Sequence, residues 1–327
     1  MVITVDAVGG DHFPQSPVRG AVDAVNDTLD LTVVLAGPEK MINEELEGLD
    51  YDTSRIVVQN APEIIKMKES PAHAVKTKKN SSIVKGIAMH KEGKCDAFVS
   101  AGNTGALLAA STFLLGKLEG VTRPTIAAVF PTKKGQRLMI DAGANLEVRT
   151  DMYYQFAQMG TIYEEEVMGV ENPTVGLLNI GEEEEKGTED LREAYQELSE
   201  LSNFVGNIEG NDIFDAKSDV FLADGLVGNL LLKFGESVPD ALRAFISKGI
   251  QKLHLDEDES ELVRKIIRAS LAEFNPDNVD GVPFLGVNGV SVVGHGSSSA
   301  LAIKNMILSA RKCVRQGINE KIVASLK

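Results

Sequence analysis

Short, near-continuous apolar runs rich in β-branched residues recur along the chain: VITVD at 2–6, LTVVLAG at 31–37, RIVVQ at 55–59, CDAFVS at 95–100, TVGLLNIG at 174–181 and DVFLADG at 219–225. Between most of them lie stretches whose apolar residues recur at helical spacing. A strand that is apolar on both faces must be covered on both faces, so the alternation predicts parallel strands buried between two helix layers. One pair breaks the rhythm. TIAAVFP (125–131) and RLMIDAG (137–143) are separated by TKKGQ, too short for a parallel crossover, and this predicts an antiparallel hairpin within a mixed sheet.

After Pro239 the pattern changes again. Two helical segments are expected at about 239–253 and 259–274, joined by the acidic LDEDES. One places Leu242, Phe245, Ile246, Ile250 and Leu253 on a common face, and the other does so for Leu262, Ile266, Ala269 and Phe274. Such stripes pack as core or dimer contacts, or lie on a membrane or acyl chain. PFLGVNGVSVVG (283–294) then returns to the sheet, and 297–316 reads as a closing helix. A chain of 327 residues could hold two domains, but strands that alternate with helices throughout fit one sheet. The expectation is a single α/β domain over 1–327, a three-layer α/β/α sandwich with a mostly parallel mixed sheet and a helical tip inserted at about 239–282.

Composition narrows the partners. A formal net charge of −15 opposes nucleic-acid binding, which needs Lys and Arg across the whole footprint. A small anion or an acidic protein needs only a local positive surface. Residues 66–94 supply one, with eight Lys against two acids, whereas 182–200 are strongly acidic. Cys95 and Cys313 form no zinc-type spacing and the five His are scattered, so neither metal nor cofactor is expected and a reducing compartment fits. The strand-like VITVD follows the first Met directly, without a basic and apolar leader, and no apolar run nears the roughly 20 residues of a spanning helix. A cytoplasmic protein is expected, one able to rest on a membrane surface.

Candidate chemistry gathers at strand ends. SAGNTGA (100–106), ADGLVGN (223–229) and GHGSSSA (294–300) each leave an expected strand through glycine and small polar residues and enter a helix. Ligands of open α/β sheets bind beyond the carboxyl ends of the strands, where helix N-termini offer unpaired N–H groups. Glycine and serine also cap ordinary helices, so one such turn says little, but three at equivalent places point to a shared crevice. The first such turn of the chain, VDAVGGDHFP, adds Asp6, Gly10, Asp11 and His12. Asp141 with Asn145 in IDAGAN, and Asn179 with Gly181 and Lys186 in NIGEEEEKG, stand at further apolar run ends. An Asn amide can donate to an oxyanion, and a Lys can hold phosphate as a point charge. No GxGxxG turn, P-loop or GxSxG elbow occurs, which disfavours those nucleotide sites and covalent catalysis by Ser100, His295 and Asp141.

VDAVGGDHFP, KKNSS, SAGNTGALLA, RPTIAAVFP, DAGAN, MGTIY, VGLLNIG, EEKG, FVGNIEG, ADGLVGN and GHGSS together resemble, in order and spacing over nearly the whole chain, the bacterial acyl-carrier-protein:phosphate acyltransferases of phospholipid synthesis, the PlsX family. The resemblance implies conversion of long-chain acyl-carrier protein and orthophosphate into acyl phosphate and free carrier, by a dimer peripheral at the membrane. Its fold would be like that of isocitrate dehydrogenases and phosphotransacetylases, and its product would feed a glycerol-3-phosphate acyltransferase. Carried onto this sequence, it implies Asn179, Lys186, Asp224, Asn229 and His295 as catalytic groups. It implies phosphate and substrate contacts at Asp6, Gly10, Asp11, Ser100, Gly102, Asn103, Thr104, Asp141, Gly181, Gly225, Gly296 and Ser297. The acidity of carrier protein suggests docking on Lys76, Lys78, Lys79 and Lys85. Residues 250–285, short and carrying DEDES, depart from the family's pattern. Three other readings stand beside this one: phosphotransacetylase-like transfer from acetyl-coenzyme A, a metal-dependent decarboxylating dehydrogenase using Asp6, Asp11, Asp141 and Asp224, and a scaffold without activity.

Overall fold

A computed structural model describes residues 1–274 and 281–327. Its strands are β1 (Val2–Asp6), β2 (Thr32–Gly37), β3 (Ile56–Asn60), β4 (Ala97–Ser100), β5 (Thr125–Thr132), β6 (Gly135–Ile140), β7 (Val175–Leu178), β8 (Phe204–Ile208), β9 (Val220–Leu222), β10 (Val282–Leu285) and β11 (Val290–Val293). They form one sheet in the order β3-β2-β1-β4-β11-β10-β5-β6-β9-β7-β8. Each expected apolar run contributes a strand, and β5 and β6 pair antiparallel from Ala127 opposite Ile140 to Thr132 opposite Gly135. Helices cover both faces, giving the expected three-layer α/β/α architecture. The core follows from the doubly covered sheet: Ile3, Thr4, Val5, Ala97, Phe98 and Val99 all lie out of reach of water.

Strand direction reverses at the centre. β3, β2, β1, β4 and β11 run parallel, β10 opposes both β11 and β5, β6 opposes β5, and β9, β7 and β8 run with β6. The carboxyl ends of β1, β4 and β11 therefore face away along the strands from those of β6, β9 and β7.

Two elements differ from expectation. The run around Phe204–Ile208 is a strand, although it carries too few buried positions to read as one; it lies at the sheet margin, where a single neighbour suffices. The tip helix does not begin at Pro239. It runs unbroken over Gly225–Leu253, with Pro239 inside it, and the acids of LDEDES start the next helix, Glu257–Ser270, rather than linking the two. Asp256 caps that helix in a capping box with Glu259, and first-turn carboxylates suit the positive end of its dipole. Leu242, Phe245, Leu253, Leu262 and Ile266 are exposed and form no part of this chain's own core, whereas Phe274 of the second stripe packs on Phe214 with ring centroids 6.2 Å apart. Residues 275–280 of the expected tip lie outside the described residues. No described helix is long and apolar enough to cross a membrane.

Candidate active site

At the carboxyl ends of β1, β4 and β11, four motifs that are far apart in sequence meet. The buried Asp6 carboxylate accepts from Ser100 Oγ (2.7 Å) and the Val8 N–H (3.2 Å). The Ser82 hydroxyl of the KKNSS motif is a further donor to it. Burial pushes the Asp6 carboxyl above its ordinary range, against the pull of these donors. Ser100 Oγ in turn accepts from the Gly102 N–H (2.9 Å). The knot admits no side chain at Gly9, where a Cβ would fall 2.7 Å from Asp6 Oδ2 and 2.9 Å from Gly102 N. The Asp11 N–H donates to the Gly296 carbonyl (2.7 Å), which ties the first turn to the GHGSS turn.

His295 stands on this rim. Its Nδ1 accepts from the Ser297 N–H (3.2 Å) and lies 2.7 Å from Ser297 Oγ. Accepting from a backbone N–H requires a lone pair on Nδ1, so the neutral ring carries its proton on Nε2. Ser100 pairs with Asp6, not His295, and Asp141 lies elsewhere, so these three residues form no triad.

The side chain of Asn103 has a different part from the expected phosphate contact. It is buried, its Oδ1 caps the helix Thr104–Ala110 by accepting from Ala106 N–H (2.9 Å), and its Nδ2 lies within 3.2 Å of the Lys66, Met67 and Glu69 carbonyls. The Gly102 N–H is likewise engaged. What remains toward the crevice is the Thr104 side chain and the N–H groups of Thr104 and Gly105, which have no acceptor within that helix.

A second group occupies the ends of β6 and β9. Asp141 is fully buried and accepts from the N–H groups of Ile126, Gly143, Ala144 and Asn145 and from Asn145 Nδ2, at 2.7–3.3 Å. It is the hub of its turn, with no oxygen left over for a substrate. Asp224 caps the helix Gly225–Leu253 through the Val227 N–H (2.7 Å). That helix docks backbone to backbone on the Asp141 turn: a Cβ at Gly228 would come within 1.9 Å of Asp141 O, and one at Gly225 within 2.6 Å of Asn145 O. The side chain of Asn229 then lies exposed beside Gly143.

At the neighbouring end of β7, Asn179 Nδ2 donates to Lys186 O (3.2 Å) and Asn207 Oδ1 (3.2 Å), its Oδ1 accepts from the Ile180 N–H (2.8 Å), and Asn207 Nδ2 donates to Glu183 O (2.9 Å). One amide hydrogen of Asn179 thus holds the acidic loop at Lys186 and the other is taken by Asn207, leaving none for an oxyanion. Lys186, half exposed, lies 3.8 Å from Glu183. Asn207, marked in the sequence only by the motif FVGNIEG, is buried and completes this clamp.

The three Gly-rich turns thus divide two and one. Those at 100–106 and 294–300 are neighbours, joined by the Gly294 N–H to Ser100 O (3.1 Å), and that at 223–229 belongs to the opposed half of the sheet. The expected carrier-docking lysines also divide. Lys78 Nζ is held by Ile64 O (2.6 Å) and Glu69 (2.6 Å), Lys85 by Asn60 O (2.9 Å) and Lys79 more loosely by Val75 O (3.3 Å), whereas Lys76 is exposed. Lys78 thus ties its own segment to Ile64 and Glu69.

Residues 1–321 match the model of a family described as fatty acid synthesis protein. A phosphate acyltransferase of Chlorobaculum parvum is 43% identical, with 100% of this chain and 99% of the relative covered. One of Acetivibrio thermocellus is 45% identical, with 98% and 95% covered. Among solved structures, a phosphotransacetylase from Streptococcus pyogenes superposes with a TM-score of 0.63 at 15% identity, covering 96% of this chain and 94% of that one. A branched-chain phosphotransacylase from Enterococcus faecalis gives 0.59 at 13% identity, with 96% and 99% covered. At those identities the likeness speaks for the fold, which is phosphotransacetylase-like. The chain belongs to the phosphate acyltransferase family and is an acyltransferase.

Proposed function

We propose that this enzyme transfers a long-chain acyl group from acyl-carrier protein to orthophosphate, releasing carrier and an acyl phosphate for phospholipid synthesis. The observation that carries the reading is the rim at β4 and β11. There the N–H groups of Thr104 and Gly105 and the Nε2–H of His295 offer donors, beside a carboxylate, Asp6, that burial holds toward its neutral form. Orthophosphate sits at Thr104, Gly296 and Ser297 and attacks the thioester carbon; the carbonyl oxygen gains charge, and His295 Nε2–H stabilises it. The carrier's thiolate leaves readily, so positioning and charge stabilisation suffice.

The opposed group supplies the far wall of the same cleft. Sheets twist by about 20–25° per strand, so the five steps from β4 to β9 amount to roughly 100–125°. Two opposed strands twisted by that much lean their carboxyl ends toward the same face of the sheet. Asn229, Lys186 and the start of Gly225–Leu253 then face the rim across the central strands, with Asp141, Asp224, Gly181 and Gly225 shaping that wall.

The exposed apolar stripe supports a homodimer, or a peripheral contact with the inner face of the membrane. Leu226, Leu230 and Phe234 recur every fourth residue, and Phe245, Leu253, Leu262 and Ile266 are exposed further along the two tip helices. The central reading is tested by incubating the protein with palmitoyl-carrier protein and labelled phosphate. A phosphate-dependent, hydroxylamine-sensitive acyl phosphate is expected; its absence with active carrier protein overturns the reading, and equal use of acetyl-coenzyme A moves it to short-chain transfer.

A further inference from the structure

The segment from Lys66 to Glu69 carries more hydrogen bonding than a solvated loop needs. Asn103, only 5% exposed, places its amide nitrogen 3.2, 3.1 and 3.2 Å from the carbonyls of Lys66, Met67 and Glu69. On the outer side Glu69 accepts from the Lys66 N–H (2.7 Å) and pairs with Lys78 (2.6 Å), which also donates to Ile64 O. The backbone is thus pinned from within and from without. Its side chains are not: Lys66 and Lys68 are exposed, and Met67 is 48% exposed. Burying a polar amide is favourable only when its partners are held in place. Here what is held in place is a basic-apolar-basic tripeptide on the lip of the crevice.

Two facts give the lip a direction and a charge. The Met67 methyl lies 3.4 Å from where a Cβ on Gly296 would stand, so the apolar residue reaches the turn that carries His295. Lys76 and Lys79 are exposed on the adjoining segment, Glu69 is engaged by Lys78 and Glu63 by the Asn80 N–H (2.6 Å), and the exposed Asp11 carboxylate stands beside Gly296, its Oδ2 3.5 Å from where a Cβ there would be. A locally positive lip on a chain of net charge −15 selects an anionic partner, and a methionine between the lysines and the histidine suits a flexible, mostly apolar arm.

We propose that Lys66 and Lys68 are docking residues for the acidic protein part of the acyl donor, that Met67 guides its thioester arm toward Gly296 and His295, and that Asn103 is the positioning residue that holds the lip. This rests on the acyl-transfer reading and replaces Lys78 and Lys85 as docking charges. The test compares palmitoyl-carrier protein with palmitoyl-4′-phosphopantetheine, which share the acyl group and the phosphopantetheine arm and differ only in the protein, following thiol release at saturating phosphate. In the K66E/K68E variant KM for the carrier substrate rises about tenfold at low salt, kcat is preserved, and KM for the phosphopantetheine substrate is unchanged. M67A raises KM for both substrates, and K91E/K94E, at the other end of that Lys-rich segment, changes neither. An unchanged carrier KM at low salt in K66E/K68E, or an equal rise for both substrates, overturns the docking role while leaving acyl transfer intact. If the unaltered protein consumes neither substrate with phosphate, the acyl-transfer reading falls and the docking role with it.

Discussion

Glu164 is a fully buried carboxyl at the end of the helix Thr150–Tyr163, close to an ion pair between Arg137 and Asp219 (2.7 Å). Asp219 also accepts from the N–H (2.8 Å) and hydroxyl (2.7 Å) of Thr174, so it has the better claim to the single guanidinium. Burial pushes Glu164 up from its ordinary 4.5 to about 8; Arg137 opposes this, and Asp219 reinforces it. The consequence for stability has a definite sign. Below about pH 4.5 the group is protonated folded or unfolded and contributes nothing. Between there and about 8 the unfolded chain releases a proton that the folded one keeps, so stability falls as pH rises; above 8 the loss is complete. At about 1.4 kcal/mol per pKa unit, the loss between pH 5 and pH 8 is roughly 3 kcal/mol. Glu164→Gln removes the titration while keeping shape and polarity. Urea unfolding of both proteins at several pH values should show the variant gaining on the unaltered protein by roughly that amount from pH 5 to pH 8. A difference between the two that does not change with pH would refute the assignment of a protonated Glu164.

Other expectations follow from the two strand-end groups. Asp141→Asn replaces an acceptor of five hydrogen bonds by a group that must turn a donor toward some of those N–H groups, and should destabilise by about 3 kcal/mol in the same urea assay. Gly228→Ala sets a methyl within 1.9 Å of the Asp141 carbonyl and forces the long helix off its seat; a loss of about 2 kcal/mol or more should appear as a lower Tm, and an unchanged Tm would contradict the close approach. His295→Ala, on an exposed rim, should leave Tm nearly unchanged but lower kcat for acyl phosphate formation about 100-fold, as expected for loss of an oxyanion donor. An unchanged kcat would remove Nε2 from the reaction.

Much of this protein is legible from sequence because it depends on local pattern. Apolar runs bounded by turn residues mark the strands of a doubly covered sheet, since burial on both faces leaves its signature in every residue of the run. A five-residue connection forbids a crossover whatever surrounds it, which is why the β5–β6 hairpin is readable. Phe204–Ile208 escaped because a marginal strand is covered by fewer neighbours and needs fewer apolar residues. The helix Gly225–Leu253 reads as starting at Pro239 because a proline's missing N–H looks like a break, whereas in the folded chain the helix continues through it and buries the ring. Sequence likewise singles out polar residues at strand ends, but it cannot say which of their atoms are already bonded. Asn103, Asn179 and Asp141 read as substrate contacts; in the folded chain their amides and carboxylate are satisfied by backbone groups of their own and other turns. That distinction rests on contacts between residues 94 apart, as for Asp6 and Ser100, or 37 apart, as for Asn103 and Lys66. Which lysine is a tie and which is free, and which turns share an edge of the sheet, are decided by strand order and direction. Those belong to tertiary structure, because pairing energy depends on what lies beside a strand and not on what precedes it.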